Sequence, residues 1–169
     1  IEQGVRRLRE LFDHYLQQSE LKRRFTLSIS SFDMEALLQD CLADTCRLWG
    51  CERFCLTTEQ PNMSGIYFEG DRAMLQTAFF NLFDNAAKYS DPAEAVYITL
   101  QHRSTAVHIT VENALAAPSQ IVAERLFEKY YRGGNTSGIG GTGVGLYLVR
   151  KIVEAHGGSV TAEVVPDRF

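Results

Sequence analysis

The segment from Asn81 to Tyr89 places two carboxamides and an ammonium group inside a strongly apolar run. Asn81, Asn85 and Lys88 have the i, i+4 and i+7 spacing that brings side chains to one face of a helix. Asparagine forms helices poorly, so two asparagines within one helix indicate a function for their side chains. The opposite face is predicted to be buried, and its apolar residues are Leu75, Phe79, Leu82 and Ala86.

These three polar side chains have the chemistry of a nucleotide phosphate site. A carboxamide offers a neutral oxygen ligand and an N–H donor, and lysine offers a compact positive charge. Proteins usually hold Mg²⁺ at nucleotide sites with oxygen ligands together with the substrate phosphates. The alternative is a polar surface stripe without chemistry, and this helix alone does not decide between the two.

A glycine-rich segment further along the chain favours the nucleotide interpretation. Residues 138–146 lead directly into an apolar helical pattern over 147–156, which ends at Gly157 and Gly158. Glycines let the backbone approach an anion, and the new helix presents unpaired N–H groups. The segment has neither the strand and acidic residue of a Rossmann unit nor the Gly-Lys-Ser/Thr ending of a P-loop. The glycines therefore hold phosphate in another scaffold, or they only bend the chain.

Several motifs, in this order, resemble those of histidine-kinase ATP-binding domains. The asparagine helix is similar to the N box, residues 126–133 to the F box, and residues 141–146 to the second glycine box. Residues 149–158 resemble the helix ending in His-Gly-Gly that follows in such kinases. The resemblance extends over about residues 32–165. It implies a Bergerat fold, an α/β two-layer sandwich whose mixed sheet has helices packed on one face.

The resemblance also implies roles for the residues that match each motif. Asn85 would coordinate the Mg²⁺ that bridges the ATP phosphates, with Asn81 beside it. The other residues implied at the nucleotide are Lys88 and Arg132 at the phosphates, Tyr89 at the base, and Gly141, Thr142, Gly143, Gly145 and Leu146 in the glycine box. The catalytic subset is Asn81, Asn85, Lys88 and Arg132. Residues 133–140 would form a mobile lid, with Phe127 either anchoring its near end or belonging to the core.

One motif of the family is altered in this chain. Members usually carry Asp-x-Gly-x-Gly after a strand, whereas here Asn113 stands at the aspartate position and Leu115 and Ala117 replace the glycines. Asn113 can still accept a hydrogen bond from the adenine amino group, but a neutral bond is roughly half as strong as a charge-assisted one. Its NH₂ group can also donate to O6 of guanine. We therefore expect nucleotide binding that is weaker than in a typical member, or less selective between bases.

The reaction implied by the resemblance is transfer of the ATP γ-phosphate to a histidine. Hydrolytic relatives carry a water-activating glutamate at the position of Asn81, and its absence here disfavours an ATPase cycle. By resemblance, the phosphoacceptor histidine lies on a preceding helix and is followed by an acidic residue. His14 is the only histidine in residues 1–27, and Tyr15 follows it, so we expect the phosphoacceptor to lie outside these 169 residues. The alternative is a degenerate module that binds nucleotide weakly or not at all and acts through protein contacts. A nucleotide-stimulated hydrolase is a third possibility.

Residues 1–27 and 28–169 are predicted to be distinct parts of the chain. Residues 1–23 have the pattern of a charged amphipathic helix, and by resemblance residues 1–27 would be the end of a dimerisation and phosphoacceptor helix with its connector. Residues 28–169 would be the catalytic ATP-binding domain. The partners implied are the dimerisation and phosphoacceptor domain of the parent kinase and the receiver domain of a response regulator. The full protein is expected to be a homodimer.

Charge and hydropathy exclude other classes of function. A hydrophobic content of 45% with 22% charged residues is typical of a globular domain. The net charge of −4 and a pI near 5.6 argue against a nucleic-acid partner. No apolar run has membrane-spanning length, and no signal-peptide pattern is found. We therefore expect a cytoplasmic domain without membrane contacts of its own, whether or not its parent is membrane-anchored.

Periodicity and turn signals predict the remaining elements. A helix is expected from Ser31 or Asp33 to Trp49. A hairpin is expected from two alternating segments, 95–103 and 106–113. The other predicted elements are strands near 52–57, 65–68 and 159–165 and a short helix over about 119–129.

The chain has four cysteines close together, Cys41, Cys46, Cys51 and Cys55. Their spacing lacks the paired C-x-x-C arrangement of structural zinc sites. We therefore expect buried free thiols and no metal centre.

Overall fold

The computed structural model describes residues 26–59, 65–115, 121–133 and 142–165. Within these ranges the chain forms three α-helices and five strands. In chain order the elements are β1 (Ser30–Asp33), α1 (Met34–Trp49), β2 (Phe54–Glu59), β3 (Tyr67–Gly70), α2 (Arg72–Tyr89), β4 (Val96–Arg103), β5 (Ala106–Asn113) and α3 (Gly145–Ala155). The predicted leader helix, Gly141 and most of the predicted lid lie outside the described residues.

The strands form two sheets. Strands β1 and β3 pair antiparallel, with Phe32 opposite Phe68. The larger sheet has the order β2-β4-β5, in which β2 runs parallel to β4 and β4 runs antiparallel to β5. The β4–β5 hairpin turns at residues 104–105, where Ser104 has a φ of 54°. The predicted hairpin is therefore confirmed, and its first strand begins one residue later than expected.

All three helices contribute to one core that covers a single face of the larger sheet. Helix α2 packs against both α1 and α3 and also contacts β5. Leu37 and Leu38 of α1, Phe83 of α2 and Ile98 and Leu100 of β4 have no exposed surface. Complete burial of such a side chain contributes roughly 1.5–3 kcal/mol. This architecture confirms the predicted two-layer α/β sandwich with a mixed sheet.

The first two helices begin at aspartate caps. The side chain of Asp33 accepts a hydrogen bond from the backbone N–H of Glu35 at 3.0 Å, and α1 ends at Trp49 as predicted. The side chain of Asp71 accepts from the N–H of Met74 at 3.0 Å at the start of α2. Such caps satisfy backbone donors that have no partner within the helix, which explains why both helices start where they do.

Two predicted elements are wrong in the described residues. Residues 159–165 form no strand, although Val160 and Ala162 pack against the core. The alternating pattern is present, but no described strand pairs with it. Of the predicted helix over 119–129, the described residues 121–129 form only a 3₁₀ turn at Ala123–Arg125. Its hydrogen bonds connect residues three apart, as from the N–H of Leu126 to the carbonyl of Ala123.

Smaller differences concern strand positions and cysteines. The strands predicted near 52–57 and 65–68 are each displaced by two residues toward the C-terminus, to 54–59 and 67–70. All four cysteines are free, but only Cys41 is buried, while Cys51 and Cys55 are exposed. The prediction of buried thiols is therefore correct for Cys41 and wrong for those two.

None of the helices in the described ranges has both the length and the hydropathy needed to cross a bilayer.

Candidate functional site

Helix α2 carries four of the predicted site residues along its second half. Asn85, Lys88 and Tyr89 are half-buried, whereas Asn81 is only 9% exposed. The amide nitrogen of Asn81 donates to the carbonyl of Thr77, one turn earlier, at 2.7 Å. The two asparagines of the predicted polar face therefore differ in exposure: the Asn81 side chain is held against its own helix, and the Asn85 side chain is nearer to solvent.

Asp84, which also lies in the second half of α2, points in a different direction from Asn85. Asp84 Oδ1 accepts a hydrogen bond from Trp49 Nε1, at the end of α1, at 3.0 Å. This bond orients Asp84 toward α1. Asp84 therefore joins the two helices.

The end of α2 is fixed to the segment that follows β5. Ser90 forms an isolated β-bridge with Leu115, and the N–H of Asp91 donates to the carbonyl of Ala114 at 2.9 Å. Asn113 is the last residue of β5 and immediately precedes this contact. The altered family motif therefore lies beside the end of the asparagine helix, where a bound base is expected.

Sequence reasoning missed one residue that holds this corner together. Arg53 donates through its guanidinium to the carbonyl of Ala87 at 3.3 Å, to Ser90 Oγ at 2.6 Å and to the carbonyl of Asp91 at 3.0 Å. These three acceptors lie within residues 87–91, so one guanidinium holds the end of α2 in place. A single arginine before a strand gives no sequence signal for such a role, because its partners are more than thirty residues away.

Gly143 joins the glycine box to the F-box segment. It has a φ of +70°, and its carbonyl accepts a hydrogen bond from the N–H of Tyr130 at 2.9 Å. A Cβ atom at this position would lie 2.9 Å from the carbonyl carbon of Tyr130 and 3.0 Å from the carbonyl oxygen of Tyr131. Only glycine allows both this backbone conformation and this close approach.

Helix α3 begins directly after this contact and has no side-chain cap. Val144 precedes it and makes no side-chain capping bond, although its carbonyl accepts from the N–H of Leu148 at 2.9 Å. Gly145 and Leu146 are the first residues of the helix and are half-buried, and Thr142 is exposed. Backbone N–H groups and the positive end of the helix dipole at such a terminus favour an anion. Because α3 packs on α2, this terminus and the asparagine helix belong to one structural unit.

The F-box residues lie next to this unit. Phe127 is buried in the core, so of its two proposed roles the structure supports packing in the core. Tyr131 accepts a hydrogen bond from the N–H of Val122 at 3.0 Å, which fixes the segment that leads to Arg132. Arg132 itself is exposed. The ammonium group of Lys88 lies 5.5 Å from the centre of the Tyr89 ring.

A partly buried polar junction holds the start of α2 and the end of α3 together. His156 Nε2 accepts a hydrogen bond from the N–H of Asp71 at 2.9 Å, and its Nδ1 lies 2.8 Å from the carbonyl of Ile152, to which it donates in this tautomer. Asp71 Oδ2 also accepts from the N–H of Ser28 at 2.9 Å. Burial raises the pKa of Asp71, but hydrogen bonds from the backbone N–H groups of Ser28, Met74 and Ala73 outweigh it, so the pKa is lowered.

Comparison with protein families gives a match for more than half of the chain. The family described as histidine kinase-, DNA gyrase B-, and HSP90-like ATPase matches residues 70–168. This range contains α2, the β4–β5 hairpin and α3.

Curated relatives with named functions are sensor proteins and kinases. Probable sensor protein PcoS of Escherichia coli is 38% identical over 96 residues, which cover 56% of this chain and 21% of that protein. Signal transduction histidine-protein kinase BaeS of Escherichia coli K12 is 34% identical over 99 residues, which cover 57% of this chain and 21% of that protein. The chain thus corresponds to about a fifth of the length of these two relatives.

Solved structures with the same fold come from histidine kinases. The mycobacterial sensor histidine kinase MprB superposes with a TM-score of 0.57 at 25% identity, covering 76% of this chain and 80% of that one. Histidine kinase ThkA, in its complex with response regulator protein TrrA, gives a TM-score of 0.66 at 22% identity, covering 97% of this chain and 45% of that one. The second likeness concerns the fold alone.

Proposed function

Because this chain belongs to the histidine kinase-, DNA gyrase B- and HSP90-like ATPase family, we propose that it is the ATP-binding catalytic domain of a sensor histidine kinase. The observation that carries this proposal is the packing of α3, whose first turn lacks a side-chain cap, against α2, which bears Asn85 and Lys88. A helix terminus that favours anions, beside a carboxamide and an ammonium group, suits a polyphosphate.

The donor set also fits a magnesium ion held together with the phosphates. The Asn85 carboxamide is half-buried and supplies an oxygen ligand of the kind that Mg²⁺ accepts, while substrate phosphates usually supply others. Bound Mg²⁺ would neutralise phosphate charge. Lys88 and Arg132 would bind phosphate oxygens, Asn81 would support Asn85 from the preceding turn, and the backbone of Gly143, Gly145 and Leu146 would contact the phosphates, together with Thr142 and Gly141.

The base would lie between Tyr89 and Asn113. The contact between the segment after β5 and the end of α2 brings the main chain at Asn113 toward Tyr89, which supports this placement. Since a neutral carboxamide can accept from adenine or donate to guanine, we expect poor discrimination between the two bases. Competition of ATP against GTP for a fluorescent analogue tests this expectation, and an ATP preference above about a hundredfold, or about 2.7 kcal/mol, contradicts it.

Phosphoryl transfer to a histidine is favoured over hydrolysis. Asn81 donates to the helix backbone and cannot act as a base, and Asp84 is bound to Trp49. Neither residue is therefore placed to activate water. We propose that the γ-phosphate passes to a histidine outside these residues, in the dimerisation and phosphoacceptor domain of a homodimeric parent kinase. A response-regulator receiver domain would then accept the phosphate. The ATP-binding domain itself would work in the cytoplasm.

Titration with ATP in the presence and absence of Mg²⁺ tests the binding site directly. We expect Mg²⁺-dependent binding with a Kd below about 1 mM, weakened at least about tenfold by Asn85→Ala. Gln76→Ala is the matched control, because it removes a carboxamide from the same helix more than two turns away. No measurable binding by the wild-type chain would instead support the degenerate module, an alternative favoured by the altered segment at Asn113 and Leu115.

The transfer step is tested with a longer protein that includes the dimerisation and phosphoacceptor domain. We expect acid-labile phosphate from γ-labelled ATP to appear on that protein and to disappear in Asn85→Ala. Phosphate release at several per second without labelled protein would support the hydrolase instead.

A further inference from the structure

Arg53 directly precedes β2, and its half-buried side chain reaches the end of α2. Its guanidinium donates to the carbonyl of Ala87 at 3.3 Å, to Ser90 Oγ at 2.6 Å and to the carbonyl of Asp91 at 3.0 Å. The last carbonyls of a helix have no partner within the helix, and the negative end of the helix dipole favours a cation. One side chain therefore caps α2 and also binds the residues that follow it.

Two of the residues that Arg53 binds are themselves bonded to the segment that follows β5. Ser90 forms the isolated β-bridge with Leu115, and the N–H of Asp91 donates to the carbonyl of Ala114 at 2.9 Å. Ser90 is only 3% exposed, so its bond with Arg53 is shielded from competing water. A change at Arg53 should therefore also alter how the segment after β5 meets the end of α2.

The larger sheet places Arg53 at the same end as the altered family motif. Phe54 is opposite Val96 in the register, and Val96 is opposite Asn113, so the start of β2 lies two strands from the end of β5. Neighbouring strands are about 4.8 Å apart, which separates these two backbones by about 10 Å. Arg53 thus links the end of the sheet that bears Asn113 to the end of the helix that bears Tyr89.

Stability of the fold alone does not account for an arginine at this position. Within the described residues, Arg53 forms no ion pair with a carboxylate, and its Nε is buried without a hydrogen-bond partner. A buried donor without a partner costs free energy of folding, which a neutral side chain would avoid. What arginine provides is a rigid planar fork of donors that reaches several acceptors at once.

We propose that Arg53 is a positioning residue for recognition of the nucleotide base, an inference that rests on the proposed function of the domain. It holds the end of α2 against the segment after β5, and it thereby fixes the spacing between Tyr89 and Asn113, where the base would lie. This spacing matters because Asn113 is neutral, and a neutral hydrogen bond is roughly half as strong as a charge-assisted one. Weak bonds of this kind contribute affinity only when their geometry is good.

The phosphate-binding groups are held in place without Arg53. Ala86 and Ala87 are buried, so core packing fixes α2 as far as the turn that bears Asn85. The first turn of α3 belongs to another helix, and Arg53 makes no hydrogen bond to it. Arg53 therefore contributes to the part of the affinity that depends on the base, and not to the part that depends on the phosphates.

The test compares two ligands of the 169-residue chain, Mg²⁺-ATP and Mg²⁺-tripolyphosphate, by titration calorimetry. Tripolyphosphate has the phosphates of ATP without its base and ribose. Arg53→Gln should weaken ATP binding at least about tenfold and tripolyphosphate binding less than about threefold. Asn85→Ala, in contrast, should weaken the binding of both ligands. The ratio of the two affinities is informative because a general loss of stability would lower both alike.

Two further variants separate the position of the guanidinium from its charge. Arg103 is exposed at the opposite end of β4, so Arg103→Gln removes the same charge and should change either affinity less than about twofold. Ser90→Ala removes the hydroxyl that accepts from Arg53 and leaves the guanidinium in place. If Arg53 acts through Ser90, the double variant should lose less ATP affinity than the product of the two single losses.

Amide hydrogen exchange measures the positioning in the absence of nucleotide. The N–H of Asp91 is bonded to the carbonyl of Ala114, so Arg53→Gln should speed its exchange at least about tenfold. The N–H of Leu148 donates to the carbonyl of Val144 in the first turn of α3, and its exchange should stay within about twofold of the wild type.

Several results would overturn the role of Arg53 while wild-type binding of ATP is intact. They are an unchanged ATP affinity in Arg53→Gln, equal losses for ATP and tripolyphosphate, and equal binding of the two ligands by the wild type. Faster exchange at Leu148 as well as at Asp91 would likewise reduce Arg53 to a residue that stabilises the whole fold. Binding of neither ligand by the wild type would refute the proposed function itself, and the role of Arg53 at the base with it.

Discussion

Substitution of Gly143 by alanine would measure how tightly the glycine box is held against the F-box segment. At a φ of +70°, an L-residue loses about 1–2 kcal/mol relative to the right-handed region. The added Cβ would also lie about 3 Å from three backbone atoms, namely the carbonyl carbon and Cα of Tyr130 and the carbonyl oxygen of Tyr131. Backbone atoms cannot rotate away as a side chain can, so overpacking adds about 1–3 kcal/mol. We expect Gly143→Ala to destabilise the domain by about 2–5 kcal/mol.

Gly157 provides a control with the same backbone conformation and no steric conflict. Its φ is +76°, and nothing lies within 4 Å of the Cβ that alanine would add. Gly157→Ala should therefore cost only the conformational part, about 1–2 kcal/mol. Alanine also lowers the conformational entropy of the unfolded chain, which offsets about 0.4–1 kcal/mol of the destabilisation in each variant. This offset cancels when the two variants are compared. The difference between the two variants isolates the close approach of Gly143 to Tyr130.

Urea unfolding followed by the fluorescence of Trp49, the single tryptophan, gives both free energies. Unfolding free energies of the two variants that agree within about 0.5 kcal/mol would refute the argument from the Cβ contacts. The same contact bears on function, because the carbonyl of Gly143 accepts from Tyr130 immediately before α3 begins. We therefore expect Gly143→Ala to weaken Mg²⁺-ATP binding more than Gly157→Ala does, measured by the same titration that tests Asn85→Ala.

Three further predictions concern other parts of the domain. Asp71→Ala removes a helix cap and the acceptor of the Ser28 N–H, so it should cost about 2–4 kcal/mol in urea unfolding. Asp33→Ala should cost about 1 kcal/mol, because its carboxylate caps only its own helix. Equal losses would contradict the contribution of the Ser28 contact. The pKa of Asp71 is lowered in the folded state, so the stability that this carboxylate contributes is complete above its unfolded pKa of about 3.9. That contribution is lost as the pH falls through the lower folded pKa. In an acid titration, the greater stability of the wild type over Asp71→Asn should therefore disappear below the folded pKa. With a disulfide reagent near pH 8, the exposed Cys51 and Cys55 should react first, while Cys41, whose burial raises its pKa to about 12, should react only on unfolding.

The sequence alone was sufficient for features that depend on neighbours along the chain. The period of α1 and its end at Trp49 follow from local spacing, and of the two predicted caps, Ser31 and Asp33, the structure shows Asp33. The β4–β5 hairpin follows from two alternating segments around a short turn. The motifs that resemble a histidine-kinase ATP-binding domain are also local, and the family match covers the same region. Such features are predictable because each depends on a few adjacent residues.

Tertiary structure decided what depends on distant partners. The segment 159–165 has a strand pattern, yet it forms no strand because no described strand pairs with it. The contacts of Arg53 with the end of α2 also depend on residues far away in the sequence, as does the junction between Asp71 and His156. The need for glycine at 143 comes from the backbone of Tyr130, which the chain brings there only after folding. Pairing and close approach are set by long-range packing, which local pattern does not contain.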